Sequence, residues 1–130
     1  MNDIKLMNKA ADNIRILAAS MVEKAKSGHP GGAMGGADFV NVLFSEFLVY
    51  DPKNPAWEGR DRYFQDPGHM SPMLYSVLAL AGKFTIDELK EFRQWGSVTP
   101  GHPEVNVMRG IENTSGPLGQ GHTYAVGAAI

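Results

Sequence analysis

The chain has 130 residues, 43% of them hydrophobic and 20% charged, with a formal net charge of −2. This balance describes a folded domain with its own core, and it lacks the basic stripe that a nucleic-acid surface requires. The absence of cysteine excludes a disulfide framework, a thiolate zinc site and a cysteine nucleophile, and no apolar run is long enough to span a bilayer.

Residues 1–26 alternate charged with apolar side chains and show no apolar stretch ending in a small-residue cleavage site. The reading is of a cytoplasmic protein without a signal peptide. Within this segment Leu6, Ala10, Ile14, Leu17, Ala18, Met21 and Ala25 recur at steps of three and four, which predicts a helix over 4–26. Ser27-Gly28 is expected to end it, since glycine accepts the left-handed conformation that closes a helix. A loop follows in Ser27-Gly28-His29-Pro30-Gly31-Gly32. A second helix is predicted from 36 or 37 to 47, with Phe39, Val40, Leu43, Phe44 and Phe47 making a broad face expected to be buried.

Two prolines make 50–56 a surface loop. Asp61-Arg62-Tyr63-Phe64-Gln65 is the best strand, firmest over 62–65, and Asp66-Pro67-Gly68 stops it. A helix is predicted over 70–80, with Ser71 as N-cap and Pro72 at the first helical position, where a missing N–H is harmless. Thr85-Ile86-Asp87-Glu88 is a capping box opening a helix that should reach Trp95 and stop at Gly96, with Leu89, Phe92 and Trp95 on its core face. Met34, Met70 and Met73 read as gap-filling core residues. Residues 98–116 form a long ordered loop with at most a short strand near 105–108, and 119–130 read as a final helix. That helix is small and apolar on nearly every face and has no closing cap, so the chain is expected to be a fragment cut inside a buried helix.

The chemistry sits in the loops. Ser27-Gly28-His29-Pro30-Gly31, Asp66-Pro67-Gly68-His69-Met70 and Thr99-Pro100-Gly101-His102-Pro103-Glu104 each place a histidine among Gly and Pro. Imidazole donates hydrogen bonds and moves protons near neutral pH, glycine lets backbone approach a ligand, and proline stiffens the loop. Thr114-Ser115-Gly116-Pro117-Leu118-Gly119-Gln120-Gly121 lacks an internal histidine but opens a helix whose free N–H groups suit an anion such as a diphosphate. One such loop alone is more often an ordinary turn. Together the four point to a site for a polyol or phosphate ligand. No Rossmann fingerprint, P-loop or nucleophile elbow occurs. His29, His69, His102 and His122 lack helical ligand spacing, so no metal is assigned to them.

In order and spacing these four segments resemble the successive motifs of transketolases, and the resemblance covers essentially the whole chain. The third and fourth match almost letter for letter. The resemblance implies an α/β fold: residues 1–130 would begin a doubly wound parallel-sheet domain that binds thiamine diphosphate, this portion being mostly helical. By the same resemblance His29 contacts the sugar near the reacting carbon. His69 lies near the cofactor diphosphate and the substrate hydroxyls, and His102 contacts substrate or intermediate. Gly116, Pro117 and Leu118 line the thiamine, with the Gly116 carbonyl near the aminopyrimidine. The implied reaction moves a two-carbon ketol unit from a ketose phosphate to an aldose phosphate. The implied metal, Mg or Ca, would have its ligands beyond Ile130, as would the Glu that activates the aminopyrimidine. The implied assembly is a homodimer of the full enzyme or a pairing with a separate C-terminal chain, and the 130 residues alone are expected to be inactive. Deoxyxylulose-phosphate synthase is disfavoured by the sequence of the third loop. A dihydroxyacetone synthase, a split transketolase and a non-catalytic associating chain stay open.

Overall fold

The computed structural model describes residues 2–130, and its elements are helical. Helix α1, Ile4–Ala25, is opened by the Asp3 carboxylate, which accepts from the Lys5 and Leu6 N–H groups. Its core face is Ala11, Ile14, Ala18 and Met21, all buried, while Leu6 is exposed. The helix closes one step earlier than glycine chemistry predicts: Lys26 itself takes the left-handed conformation, φ 51°, and its N–H bonds the Glu23 carbonyl.

Helix α2, Pro30–Gly35, stands where a loop was expected. Pro30 fixes φ at a helical value and needs no N–H partner in the first turn, so the glycines behind it are nucleated into a helix. Helix α3, Ala37–Val42, runs into a π-helical turn, Leu43–Phe47, and the two together cover the predicted span. Only one side of that span is buried: Val40 and Phe44 are enclosed, whereas Phe39 and Phe47 are exposed.

Helix α4, Ser71–Leu80, is the centre of the molecule. Residues 71–78 are all buried, and the helix packs on α1, α2 and α3. Leu74, Tyr75 and Phe92 are almost wholly enclosed, each contributing about 1.5–3 kcal/mol of burial. Ser71 is the first helical residue rather than the N-cap. Its hydroxyl donates to the Gly101 carbonyl at 2.7 Å, a tertiary bond that replaces the predicted local one.

Helix α5, Ile86–Lys90, has the predicted capping box in full. It ends well before Trp95 because the chain reverses at Arg93, φ 61°, whose N–H bonds the Thr99 carbonyl. Leu89 and Phe92 are buried as expected, and Trp95 is fully exposed. Of the three methionines, Met73 is buried, Met70 is half-buried and Met34 is exposed.

The predicted strand at 62–65 does not form. The segment is extended but has no neighbouring strand, and the buried Asn113 amide supplies the pairing: the Gln65 N–H donates to Asn113 Oδ1 at 2.9 Å and Asn113 Nδ2 donates to the Gln65 carbonyl at 3.2 Å. Near 105–108 there is a single antiparallel bridge, Asn106 to Ile111, enclosing a 3-10 turn over Val107–Arg109. Helix α6, Gln120–Ala129, follows as predicted.

Candidate functional site

The four motif loops come together at one end of α4. Ser71 and Tyr75 hold the third loop by its backbone: Ser71 Oγ donates to the Gly101 carbonyl and Tyr75 Oη donates to the Pro100 carbonyl at 2.8 Å. Thr99 ties the same loop to α5, its hydroxyl donating to the Glu88 carbonyl at 3.0 Å. His102 is thus carried on backbone fixed to two helices. Burial pushes the Tyr75 hydroxyl pKa well up, with the Glu104 carboxylate adding to the effect, so Tyr75 acts as a neutral donor to Pro100.

His29 stands at the N-cap of α2, with extended backbone and its ring outside the helix. His69 lies in a 3-10 turn, Gly68–Met70, that leads into α4. The two rings meet with centroids 4.8 Å apart and planes tilted by 51°. His102 joins them electrostatically. Its pKa lies below the ordinary value, through partial desolvation of the ring and then the charges of Arg93, His69 and His29.

The fourth loop closes the cleft. The Ser115 N–H donates to the Pro103 carbonyl at 3.0 Å, and the Val105 N–H donates to Thr114 Oγ1 at 3.0 Å. The backbone at Gly68 presses on this loop so closely that a Cβ there would meet Ser115 Oγ at 2.8 Å and the Gly116 nitrogen at 3.0 Å. A Cβ at Gly116 would in turn stand 3.9 Å from His102 Cγ. The structure therefore brings His29, His69, His102 and Gly116 to one place, with Pro117 and Leu118 exposed beside them.

The start of α6 differs from the expectation of an open anion site. The Gly119 N–H donates to Asp66 Oδ1 at 3.3 Å, and His122 Nδ1 lies 3.4 Å from Asp66 Oδ2. A carboxylate of the chain itself sits at the positive end of the helix dipole, where a bound anion was anticipated. Asp66 was visible in the sequence only as a residue ending a strand. Its position depends on the turn through Pro67, which no local signal reveals.

Arg93 also went unread. Its Nη1 donates to Ser27 Oγ at 2.9 Å, and its Nε is buried without a partner against Gly101, joining the first loop to the third. Among the described residues no group of three or more His, Asp or Glu is placed to hold a metal ion.

The site can hold a planar, partly apolar group beside a polar one. Gly116 has no side chain to block access to its backbone, Leu118 offers 69% of its surface to solvent, and the buried Ser115 Oγ lacks a protein partner next to Gly116. Those features fit a heteroaromatic cofactor whose polar edge faces the backbone of the loop.

Residues 6–130 match the family model described as transketolase, thiamine diphosphate binding domain. The chain is 54% identical over 126 residues to the transketolase of Buchnera aphidicola subsp. Baizongia pistaciae, covering 96% of this chain and 19% of that protein. Its fold overlays the transketolase of Campylobacter jejuni with a TM-score of 0.92 at 48% identity, covering 98% of this chain and 20% of that one. A transketolase from Pichia stipitis in complex with sedoheptulose-7-phosphate overlays with a TM-score of 0.90 at 45% identity, covering 95% of this chain and 18% of that one. The chain thus spans about a fifth of the length of the relatives it matches.

Proposed function

This chain belongs to the transketolase family, within its thiamine diphosphate binding domain, and from that membership we propose that residues 1–130 form the N-terminal part of that domain in a longer enzyme. The enzyme transfers a two-carbon ketol unit from a ketose phosphate to an aldose phosphate. The observation that carries this reading is the convergence of His29, His69, His102 and Gly116 from four separate loops onto one cleft.

When bound, thiamine diphosphate supplies a thiazolium carbanion that adds to the ketose carbonyl and stabilises the charge released on C–C cleavage. The residues of this chain orient and protonate. His29 and His69, with rings in contact range, grip the hydroxyl-bearing end of the sugar, and His69 also faces the diphosphate. His102, favoured in its neutral form, accepts a hydrogen bond from substrate and moves a proton at its ring nitrogen. Gly116 receives the aminopyrimidine edge, and Pro117 and Leu118 give it an apolar wall that excludes water.

The divalent metal, Mg or Ca, is held by residues elsewhere in the longer enzyme. We place the activity in the cytoplasm, in the pentose phosphate pathway, as a dimer. The exposed Leu118, Tyr124 and Val126 around α6 support packing against the rest of the enzyme or a separate C-terminal chain. The 130 residues alone are expected to be inactive. The test is a coupled assay of the full-length enzyme with a ketose phosphate donor and an aldose phosphate acceptor, with and without thiamine diphosphate. Cofactor-dependent formation of the two-carbon-extended sugar supports the reading, and its absence at saturating cofactor rejects it.

A further inference from the structure

Arg93 is a non-glycine residue with positive φ, 61°, a conformation that costs an L-residue energy and persists where surroundings impose it. Its N–H is fixed to the Thr99 carbonyl at 3.0 Å, its Nη1 to Ser27 Oγ at 2.9 Å, and its guanidinium carbon stands 5.6 Å from the Phe92 ring centroid. Its buried Nε lies so close to Gly101 that a Cβ there would meet it at 2.8 Å. The same side chain lines an open groove of about 950 Å³ together with Ser27, Trp95, Gly101, His102 and Glu104. A buried donor left unpaired is unfavourable for stability, so folding alone does not account for this placement.

We infer that Arg93 is a positioning residue for His102: it clamps the first histidine loop to the third and sets the imidazole at the mouth of the cleft. The inference rests on the proposed role of His102 as a substrate contact. The charged or titratable groups facing His102 are Arg93 from the turn after α5, His69 from the turn before α4, His29 from the start of α2 and Glu104 from its own loop; residues 114–118 bring none. Arg93 is the cation among them that stays charged at every working pH. It disfavours protonation of His102, so it sets the ring's charge state as well as its place.

The experiment uses the cofactor-free full-length enzyme with 13C-labelled histidine, the His102 resonance being assigned through His102→Asn. Removing the charge in Arg93→Gln is expected to move the His102 titration midpoint to higher pH, while Arg93→Lys leaves it near wild type. In the loaded enzyme the acidic limb of the kcat/KM profile is expected to move the same way. Coincident His102 midpoints in wild type and Arg93→Gln overturn the inference. Should Arg93→Gln not fold, Arg93→Lys decides: it keeps the charge but loses the planar fork, so kcat/KM is expected to fall ~10-fold with the limb unmoved. An unchanged kcat/KM there overturns the clamp. If the wild-type enzyme transfers no ketol unit, the proposed function fails, while the imidazole titration still judges Arg93.

Discussion

The rings of His29 and His69 lie with centroids 4.8 Å apart, although forty positions separate them in sequence. A gap of that size lets both side chains reach one hydroxyl-bearing carbon chain. They are therefore expected to act as a unit. Single replacements His29→Ala and His69→Ala should each lower kcat/KM of the full-length enzyme by about 10²-fold. The double variant should lose much less than the product of the two, because removing one ring already loosens the shared grip. Steady-state kinetics on the four proteins of this cycle provides the check, and strictly multiplicative losses would argue for independent roles.

Backbone approach at Gly68 and Gly121 leaves no room for a methyl group. At Gly121 a Cβ would meet Asp66 Cβ at 2.5 Å and the Gln65 carbonyl oxygen at 2.8 Å. Gly121→Ala and Gly68→Ala are each expected to destabilise the fold by about 1–3 kcal/mol. Gly68→Ala should in addition weaken thiamine diphosphate binding in the full-length enzyme, since it displaces Ser115 and Gly116 directly. Chemical denaturation separates the two effects from cofactor titration by fluorescence.

Arg60 and Glu112 form a two-pronged ion pair, Nε to Oε1 at 2.6 Å and Nη2 to Oε2 at 3.0 Å, with each side chain only 9% exposed. Removing one partner strands the other charge. Arg60→Met is expected to cost ~3–5 kcal/mol, whereas Arg60→Met combined with Glu112→Leu should recover most of that loss. Urea midpoints of the three proteins measure the difference.

The Arg109 guanidinium, with the Thr85 N–H, holds the Glu88 carboxyl at about 2, below its ordinary 4.5. A depressed folded-state value contributes stability that is present above pH 4.5 and lost as pH falls toward 2. Glu88→Gln is therefore expected to be less stable than wild type near neutral pH by about 1 kcal/mol, reduced by solvent screening at this partly exposed pair. The gap should close progressively below pH 4.5. Urea denaturation at a series of pH values tests the sign, and a gap that widens in acid would contradict it.

Several elements were legible from the sequence because their signals are local. The three-and-four spacing of Ile14, Ala18 and Met21 depends only on helix geometry, and the Thr85–Glu88 box closes within one turn. The histidine loops were legible through their Gly and Pro context. Elements fixed by distant partners were not. Residues 62–65 have strand composition, yet their backbone is met by Asn113, 48 positions from Gln65. Helix α5 stops because the Arg93 N–H finds Thr99, and Trp95 leaves the core as a result. Asp66 reaches the start of α6 from 53 positions away. No window short enough to read by periodicity contains either end of such a contact.

The side-chain amide of Asn113 stands in for an absent strand, and that substitution has a consequence for what position 113 tolerates. A neighbouring strand offers one donor and one acceptor to each residue it faces; the amide offers the same pair from a single side chain. Aspartate in its place would accept from the Gln65 N–H but present no donor to the Gln65 carbonyl, and leucine would meet neither. Of the residues close to it in size, only asparagine completes this miniature ladder. The 113 position is thus constrained as tightly as a catalytic residue, though its task is to keep Asp66, Pro67 and Gly68 in line behind His69.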